Sequence, residues 1–238
     1  SNIVYPNMKI NENGLISFKG IHTNDKLKKY SIKFHKILKK INSSEGPAFV
    51  YSNFKEYGGI LSFKQVLENN GYKNYSDFGE GKKRFAVWSG DESLAKREEV
   101  RNIFNKHNNK NGSCIKVLLG SPAIKEGVSL LRVSQVHIIE PTWNWSKMEQ
   151  IIGRAVRFCS HRDLPKRERV VEVYIYVAIY SDTNELTTDM HILNLALQKQ
   201  KLIDEFEYIL KESAIDCRLF YNANYFPKVD KKQLKCTA

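Results

Sequence analysis

Residues 136–158 read VHIIEPTWNWSKMEQIIGRAVRF, and the parsing of this stretch decides the fold. It opens on a short apolar run, VHII, which is strand-like, and passes through Glu140 and Pro141 into a segment of helical period predicted over 146–158. On that helix Met148, Ile151, Ile152, Ala155 and Cys159 line up as an apolar stripe, while Gln150, Arg154 and Arg157 share the adjoining polar face. The stripe can seat the helix on a sheet and leaves the polar face free to meet an anion. Gly153 lies in mid-helix at a cost of about 1 kcal/mol relative to Ala, which points to close packing or close approach of a ligand. Paired guanidinium groups suit a triphosphate, because planar, permanently charged donors can follow charge as it develops on a transferred phosphoryl group.

The same strand-to-helix rhythm extends upstream. A polar lead-in is followed over 28–41 by a basic amphipathic helix with Tyr30, Phe34, Ile37, Leu38 and Ile41 on one face. PAFVY (47–51) reads as a buried strand, and a helix is predicted over 56–69. A turn-rich loop (71–83) leads to strand RFAVW (84–88), then a helix over 93–106, a loop at NNKNG and strand IKVLL (115–119). Downstream, VVEVYIYVAIY (170–180) is expected to be a long strand buried on both faces, which accounts for Tyr174, Tyr176 and Tyr180 without a base-stacking role. Beyond Asp182, Leu202, Ile203, Phe206, Ile209 and Leu210 mark a long amphipathic helix ahead of a Lys-rich tail. Alternating strands and helices give an α/β fold with a mainly parallel sheet flanked by helices and a helical C-terminal extension. The expected division is a lead-in or linker (1–27), the α/β domain (28–182) and the extension (183–238).

Lys and Arg total 38 against 26 Asp and Glu, a net charge of +12, which favours encounter with phosphate-rich partners and makes DNA or RNA the first partner to consider. The four cysteines, Cys114, Cys159, Cys217 and Cys236, show no CxxC pairing and are expected to be reduced thiols rather than a disulfide framework or a zinc site. No metal ligands are assigned. No apolar run is long enough to span a bilayer and no signal-peptide core is visible, so a soluble, intracellular protein is expected. The chain opens on Ser1 and Asn2 without an initiator Met, and the natural protein is expected to extend upstream.

Taken in order, these stretches resemble the superfamily 2 helicases and translocases. QIIGRAVR (150–157) resembles their motif VI, QxxGRxxR, and GSPAIKEGVSL (120–130) resembles motif V, with Ser121 at the Ser/Thr position, Gly127 at the glycine and Ser129 where Asp or Asn is commoner. EPTWNW (140–145) is similar to the acidic-x-x-Trp-Asn-Pro signature of chromatin-remodelling translocases, with Trp145 replacing the proline. FVYSNF (49–54) resembles motif IV, and WSGDES (88–93) resembles motif IVa. The wording of 126–157, and ESAIDC at 212–217, is similar to the helicase-like transcription proteins of poxviruses and related giant DNA viruses, of the early transcription factor small subunit type.

The resemblance implies a RecA-like second lobe working on ATP with Mg²⁺ that is held mainly by a first lobe outside this chain. Arg157 would be the arginine finger, Arg154 a second γ-phosphate contact, and Gln150 would orient the nucleotide. Gly127, Ser129 and Gly153 would approach it. Ser121, Ser52, Asn53, Ser89 and Gly90 would meet nucleic-acid phosphates, which hydroxyls and backbone N–H groups bind without reading sequence. The implied partners are DNA or RNA, an N-terminal RecA-like lobe of the same parent protein and a viral RNA polymerase, with no membrane. The implied setting is viral transcription by a packaged protein active in host cytoplasm. A rival reading is a non-catalytic nucleic-acid-binding or polymerase-recruiting module on the same fold.

GEGK (79–82) is followed by Lys83 rather than Ser or Thr and is not a P-loop, and DESL (91–94) is assigned to helix capping rather than to Mg²⁺. The chain alone is therefore expected not to hydrolyse ATP. Trp143 and Trp145 are expected to pack, and His137 is expected to be a satisfied core residue.

Overall fold

A computed structural model describes residues 24–124, 128–180, 185–228, 230 and 232–237. Its centre is a strand with neighbours on both edges: β1 (Ala48–Tyr51) pairs in parallel with β4 (Val117–Gly120) and with β5 (Gln135–Ile138), Phe49 lying opposite both Leu118 and Val136. All three strands are buried along their full length, which is why they read as near-continuous apolar runs. β3 (Arg84–Trp88) and the two-residue β2 (Lys73–Asn74) extend one side and β6 (Glu172–Ile175) closes the other, giving an all-parallel sheet in the order β2-β3-β4-β1-β5-β6.

Alternation along the strands sorts the core into two layers. Ala48, Val50, Val117 and Leu119 meet Phe34, Ile37, Leu38 and Ile41 of α2 (Ile32–Ser43) and Ile60, Phe63, Val66 and Leu67 of α3 (Ile60–Asn69). Phe49, Tyr51, Ala86, Trp88, Leu118 and Val136 face the opposite way, toward Val100 and Phe104 of α5 (Leu94–Phe104) and Met148 and Ile151 of α6 (Trp145–Ile152). Two short helices, α1 (Asn24–Tyr30) and α4 (Tyr75–Phe78), stand before α2 and after β2.

Several expected boundaries move for local reasons. The helix expected over 28–41 is two helices, because Ser31 leaves helical geometry to cap α2, its side chain accepting from the Phe34 N–H. The helix expected from 56 starts only at Ile60, since Tyr57 and Gly58 take positive φ (49° and 90°) and make a turn first. The loop expected over 71–83 contains β2 and α4, and NNKNG lies in a 3₁₀ turn (His107–Asn111) ended by Gly112 at φ 67°. Of the run 170–180, only Glu172–Ile175 is strand, and it is an edge strand with Val170, Val173, Ile179 and Tyr180 exposed. The expected two-faced burial is thus overturned: β6 is the last strand on this side among the described residues, and Glu172 and Val173 are exposed. The lead-in to residue 23 and the boundary at 182 lie outside the described residues.

The extension holds α7 (Thr188–Ser213), capped by Thr187, and a four-residue helix α8 (Tyr221–Asn224). The expected stripe of Leu202, Ile203, Phe206, Ile209 and Leu210 is present on α7 but exposed. Cys217 and Cys236 form a disulfide, which corrects the expectation of four reduced thiols: the tail folds back along the end of α7, where Tyr208 donates to the Gln233 carbonyl and Glu212 accepts from the Lys235 N–H. Cys114 and Cys159 are free. Among the described residues no helix is long and apolar enough to cross a membrane, and no group of three or more His, Cys, Asp or Glu could hold a metal ion.

Two buried polar groups fix the extension and the sheet edge. Lys33 of α2 donates to the Ile139 carbonyl (3.0 Å) and pairs with Asp189 in the first turn of α7, whose carboxylate also accepts from the Ala178 N–H (2.9 Å). His137, fully buried in β5, bonds through Nδ1 to the Tyr176 hydroxyl (2.9 Å) and through Nε2 to Gln135 (3.2 Å), with its ring stacked on Tyr174. Burial pushes its pKa down to about 3.

Removing one partner of the buried pair, as in Asp189→Ala, is expected to lower stability by about 3–5 kcal/mol, because the buried Lys33 loses its counter-charge. Urea unfolding checks this as a lower midpoint at unchanged slope. For His137 the folded pKa lies below the unfolded one, so its contribution is intact above about pH 6.5 and is lost as pH falls toward about 3. Urea midpoints measured across that window should fall less steeply in His137→Gln than in the parent.

Candidate functional site

In an all-parallel sheet with helices on both faces, the residues following the strands emerge together at the carboxyl edge, where such sheets bind ligands. All five expected contact residues stand there: Ser52 and Asn53 after β1, Ser89 and Gly90 after β3, and Ser121 after β4. The structure turns the three hydroxyls inward. Ser52 Oγ donates to Glu140 Oε1 (2.8 Å), the same oxygen accepts from the Asn53 N–H, and Ser89 donates through both Oγ and N–H to Glu92 (2.8 and 2.7 Å). Ser121 Oγ accepts from the Ala123 N–H (3.2 Å). What this edge presents outward is Gly90, with open space above its Cα, and the Asn53 side chain, whose oxygen accepts from Lys147 (2.9 Å) and from Tyr51 (3.1 Å). Burial, followed by the charge of Glu140, raises the Tyr51 pKa to about 12, so its phenol stays a neutral donor. Of the DESL residues, Glu92 is committed to Ser89, Asp91 pairs with Lys55, and Ser93 caps α5.

α6 is shorter than the expected helix over 146–158. It ends at Ile152 with Gly153 as its C-cap, and the following N–H groups of Arg154 and Ala155 bond three residues back, to the Ile151 and Ile152 carbonyls. Met148, Ile151 and Ala155 are buried as the stripe requires, but Cys159 is exposed at φ 63° and lies outside it. Gln150, Arg154 and Arg157 therefore do not share one helical face. Gln150 and Arg154 line a pocket of about 540 Å³ with Phe49, Tyr51, Pro122, Ile124 and Lys147, and the Arg154 guanidinium has no hydrogen-bond partner among the described residues. Arg157 stands beyond it, exposed, with Nη1 donating to Ser129 Oγ (2.7 Å). Two cationic side chains, Lys147 and Arg154, give this pocket a positively charged lining. Gly127 lies outside the described residues.

The sequence reading missed three features. Asn105, the C-cap of α5, donates to the Ser129 carbonyl and accepts from the Leu131 N–H (2.8 Å each), and the Leu130 N–H donates to the Arg154 carbonyl (2.8 Å). The segments at 129–131 and 154–157 are thus bound to one another directly. Nothing in the sequence distinguishes Asn105 from any Asn ending a helix. Glu140 was read as part of a motif and not as the acceptor that folds the end of β1. Third, Trp143 is 55 % exposed and lines, with Phe54 and Tyr57, a second pocket of about 670 Å³, which overturns the packing expected of it; Trp145 does pack, and donates to Glu149 (3.0 Å).

Residues 32–159, more than half of the chain, match the family described as the helicase conserved C-terminal domain. A protein of Acanthamoeba polyphaga mimivirus named as an ATP-dependent RNA helicase is 52 % identical over 231 residues, covering 95 % of this chain and 40 % of its own length. Nucleoside triphosphatase I of Melanoplus sanguinipes entomopoxvirus is 30 % identical over 194 residues, covering 81 % of this chain and 28 % of its own. The chain thus spans well under half the length of either relative. Among solved structures, the C-terminal part of the Fun30 ATPase domain superposes with a TM-score of 0.50 at 17 % identity, over 77 % of this chain and 57 % of that one, a likeness of fold.

The pocket floor leaves a prediction. A Cβ on Gly120 would lie 2.5 Å from Phe49 Cε2 and 2.6 Å from Ile124 Cδ1, and both residues belong to the pocket lining. Gly120→Ala is expected to destabilise by about 1–3 kcal/mol through overpacking; an unchanged thermal midpoint would show that Phe49 and Ile124 move aside freely.

Proposed function

The chain belongs to the helicase conserved C-terminal domain family, and from that premise we propose that it is the second RecA-like lobe of an ATP-driven helicase or translocase that closes against a first lobe of the same polypeptide. The observation that carries this reading is the turn after α6, which sets the guanidinium of Arg154 in a pocket beside Lys147 and Gln150, and a second guanidinium, Arg157, three residues on at the surface. Arg157 acts as the arginine finger and Arg154 as a γ-phosphate contact on ATP. In water-excluded surroundings these fixed charges stabilise the charge that develops on the transferred phosphoryl group. Gln150 orients the nucleotide, and Gly127, Ser129 and Gly153 complete this lobe's share of its site. Mg²⁺ would come with the nucleotide and be held by the first lobe; the described residues contain no acidic cluster suited to it.

In the same proposal residues 28–182 form the lobe, 183–238 a helical extension and 1–27 a lead-in. Nucleic acid, DNA or RNA, runs along the carboxyl edge past Asn53 and Gly90, with Ser52, Ser89 and Ser121 holding that edge in shape through their internal bonds, and the net charge of +12 supports such a partner. Kinship with viral proteins supports work in viral transcription beside an RNA polymerase, in host cytoplasm. A merely scaffolding module gains nothing from two cationic side chains, Lys147 and Arg154, on one pocket, so the catalytic reading is preferred.

The test is nucleic-acid-stimulated ATPase activity of a polypeptide spanning both lobes. Arg157→Ala is expected to lower kcat by roughly 10³-fold or more with nucleotide binding retained, and the 238-residue chain by itself is expected to show no turnover. Unchanged turnover in Arg157→Ala would remove the finger and leave a binding module as the better account.

A further inference from the structure

Arg157 has a long, exposed side chain, and such a side chain is useful to chemistry only if something restricts where its guanidinium rests. Its restraint is the Ser129 hydroxyl at 2.7 Å. Ser129 is itself in a segment without helix or strand, where the neighbouring backbone supplies no ladder to fix it. The side-chain amide of Asn105 takes that part. Its Nδ2 donates to the Ser129 carbonyl and its Oδ1 accepts from the Leu131 N–H, both at 2.8 Å, so one planar group grips the segment at two points and fixes orientation as well as position. Asn105 is in turn fixed: as the C-cap of α5 its N–H bonds to the Arg101 carbonyl, and its own carbonyl accepts from Arg132, which pairs with Asp163. The opposite side of the segment is closed by the Leu130 N–H on the Arg154 carbonyl.

We infer that Asn105 is a positioning residue for Arg157: clamping residues 129–131, it sets the place of the Ser129 hydroxyl and through it the resting place of the guanidinium. The inference rests on the finger assignment above and deepens it. Asn105 engages both ends of its side-chain amide within the protein, on the Ser129 carbonyl and the Leu131 N–H, so it reaches the chemistry through Ser129. The chain of contacts also gives Ser129 a use that a carboxylate or amide at that position would meet differently, because a hydroxyl can accept from the guanidinium without binding it as tightly as a charged pair would.

The experiment is a double-mutant cycle on the two-lobe polypeptide, with kcat and KM for ATP measured for Asn105→Ala, Arg157→Ala and the pair. Asn105→Ala is expected to lower kcat about tenfold with KM changed less than about twofold, and to have no further effect in the Arg157→Ala background. Asn105→Asp, which keeps the shape and the acceptor for Leu131 but sets a carboxylate against the Ser129 carbonyl, should reproduce the loss where Asn105→Ala folds poorly. A second reading comes from the 238-residue chain alone: the Arg157 Nε–Hε resonance, identified by its disappearance in Arg157→Lys, should shift in both Asn105→Ala and Ser129→Ala. Losses that multiply in the double variant, unchanged kcat in Asn105→Ala or Asn105→Asp, or an Arg157 resonance indifferent to Asn105 would each overturn the inference while Arg157→Ala still impairs turnover. If Arg157→Ala itself leaves turnover intact, the finger assignment fails and the inference falls with it.

Discussion

A strand that is hydrogen-bonded on both edges and covered on both faces can send its next residue only out through the end of the sheet. β1 is such a strand, held between β4 and β5 and packed by helices above and below, and every other strand runs parallel to it. Parallel pairing forces each return through a crossover, so each strand gives up its carboxyl end at the same edge. The pocket of Tyr51, Lys147 and Arg154, the Ser52–Glu140 bond and the Ser89–Glu92 bond all descend from that one constraint.

The edge is finished by carboxylates that accept hydrogen bonds from hydroxyl and amide groups, and this shapes its charge. Glu140 and Glu92 are turned onto Ser52, Asn53 and Ser89, and Asp91 onto Lys55, while Lys147 and Arg154 remain directed at the pocket. The charge left facing the pocket is thus that of the two cations, while the acids are engaged by neighbouring hydroxyl, amide and ammonium donors. Burial reinforces the pattern, since the raised pKa of Tyr51 keeps its phenol from adding a negative charge.

What could be read in the sequence was what depends on period and on short-range order. The interior strands were legible because burial on both faces leaves a continuous apolar signature, and α5 was legible from Ser93 and the spacing of Val100 and Phe104. The end of α6 was not, because Arg154, Ala155 and Arg157 sit at spacings that also suit a helix, and only the tightened bonding after Gly153 shows otherwise. β6 differed for a related reason: apolar residues at an edge look like apolar residues in a core until the strand order places them last among the described strands. The Cys217–Cys236 pairing and the Asn105 clamp join residues whose proximity is created by the fold, and no local pattern announces either. The finding that Ser129 and Arg157 touch was half legible, for the two were singled out separately and brought together only by the structure.

The Lys33–Asp189 pair grips α7 within its first turn, and the helix then runs for 26 residues past α6. At 1.5 Å per residue that is an arm of about 39 Å, so a tilt of roughly 10° about the anchored end would carry the far end through about 7 Å. The anchored end is seated on the carbonyl of Ile139 at the exit of β5, one residue before Glu140, and the middle of the helix, at Lys199 to Ile203, lies beside Lys147 and Gln150. A displacement too small to disturb the packing around Gln150 would be delivered, magnified, at the distal end of the extension.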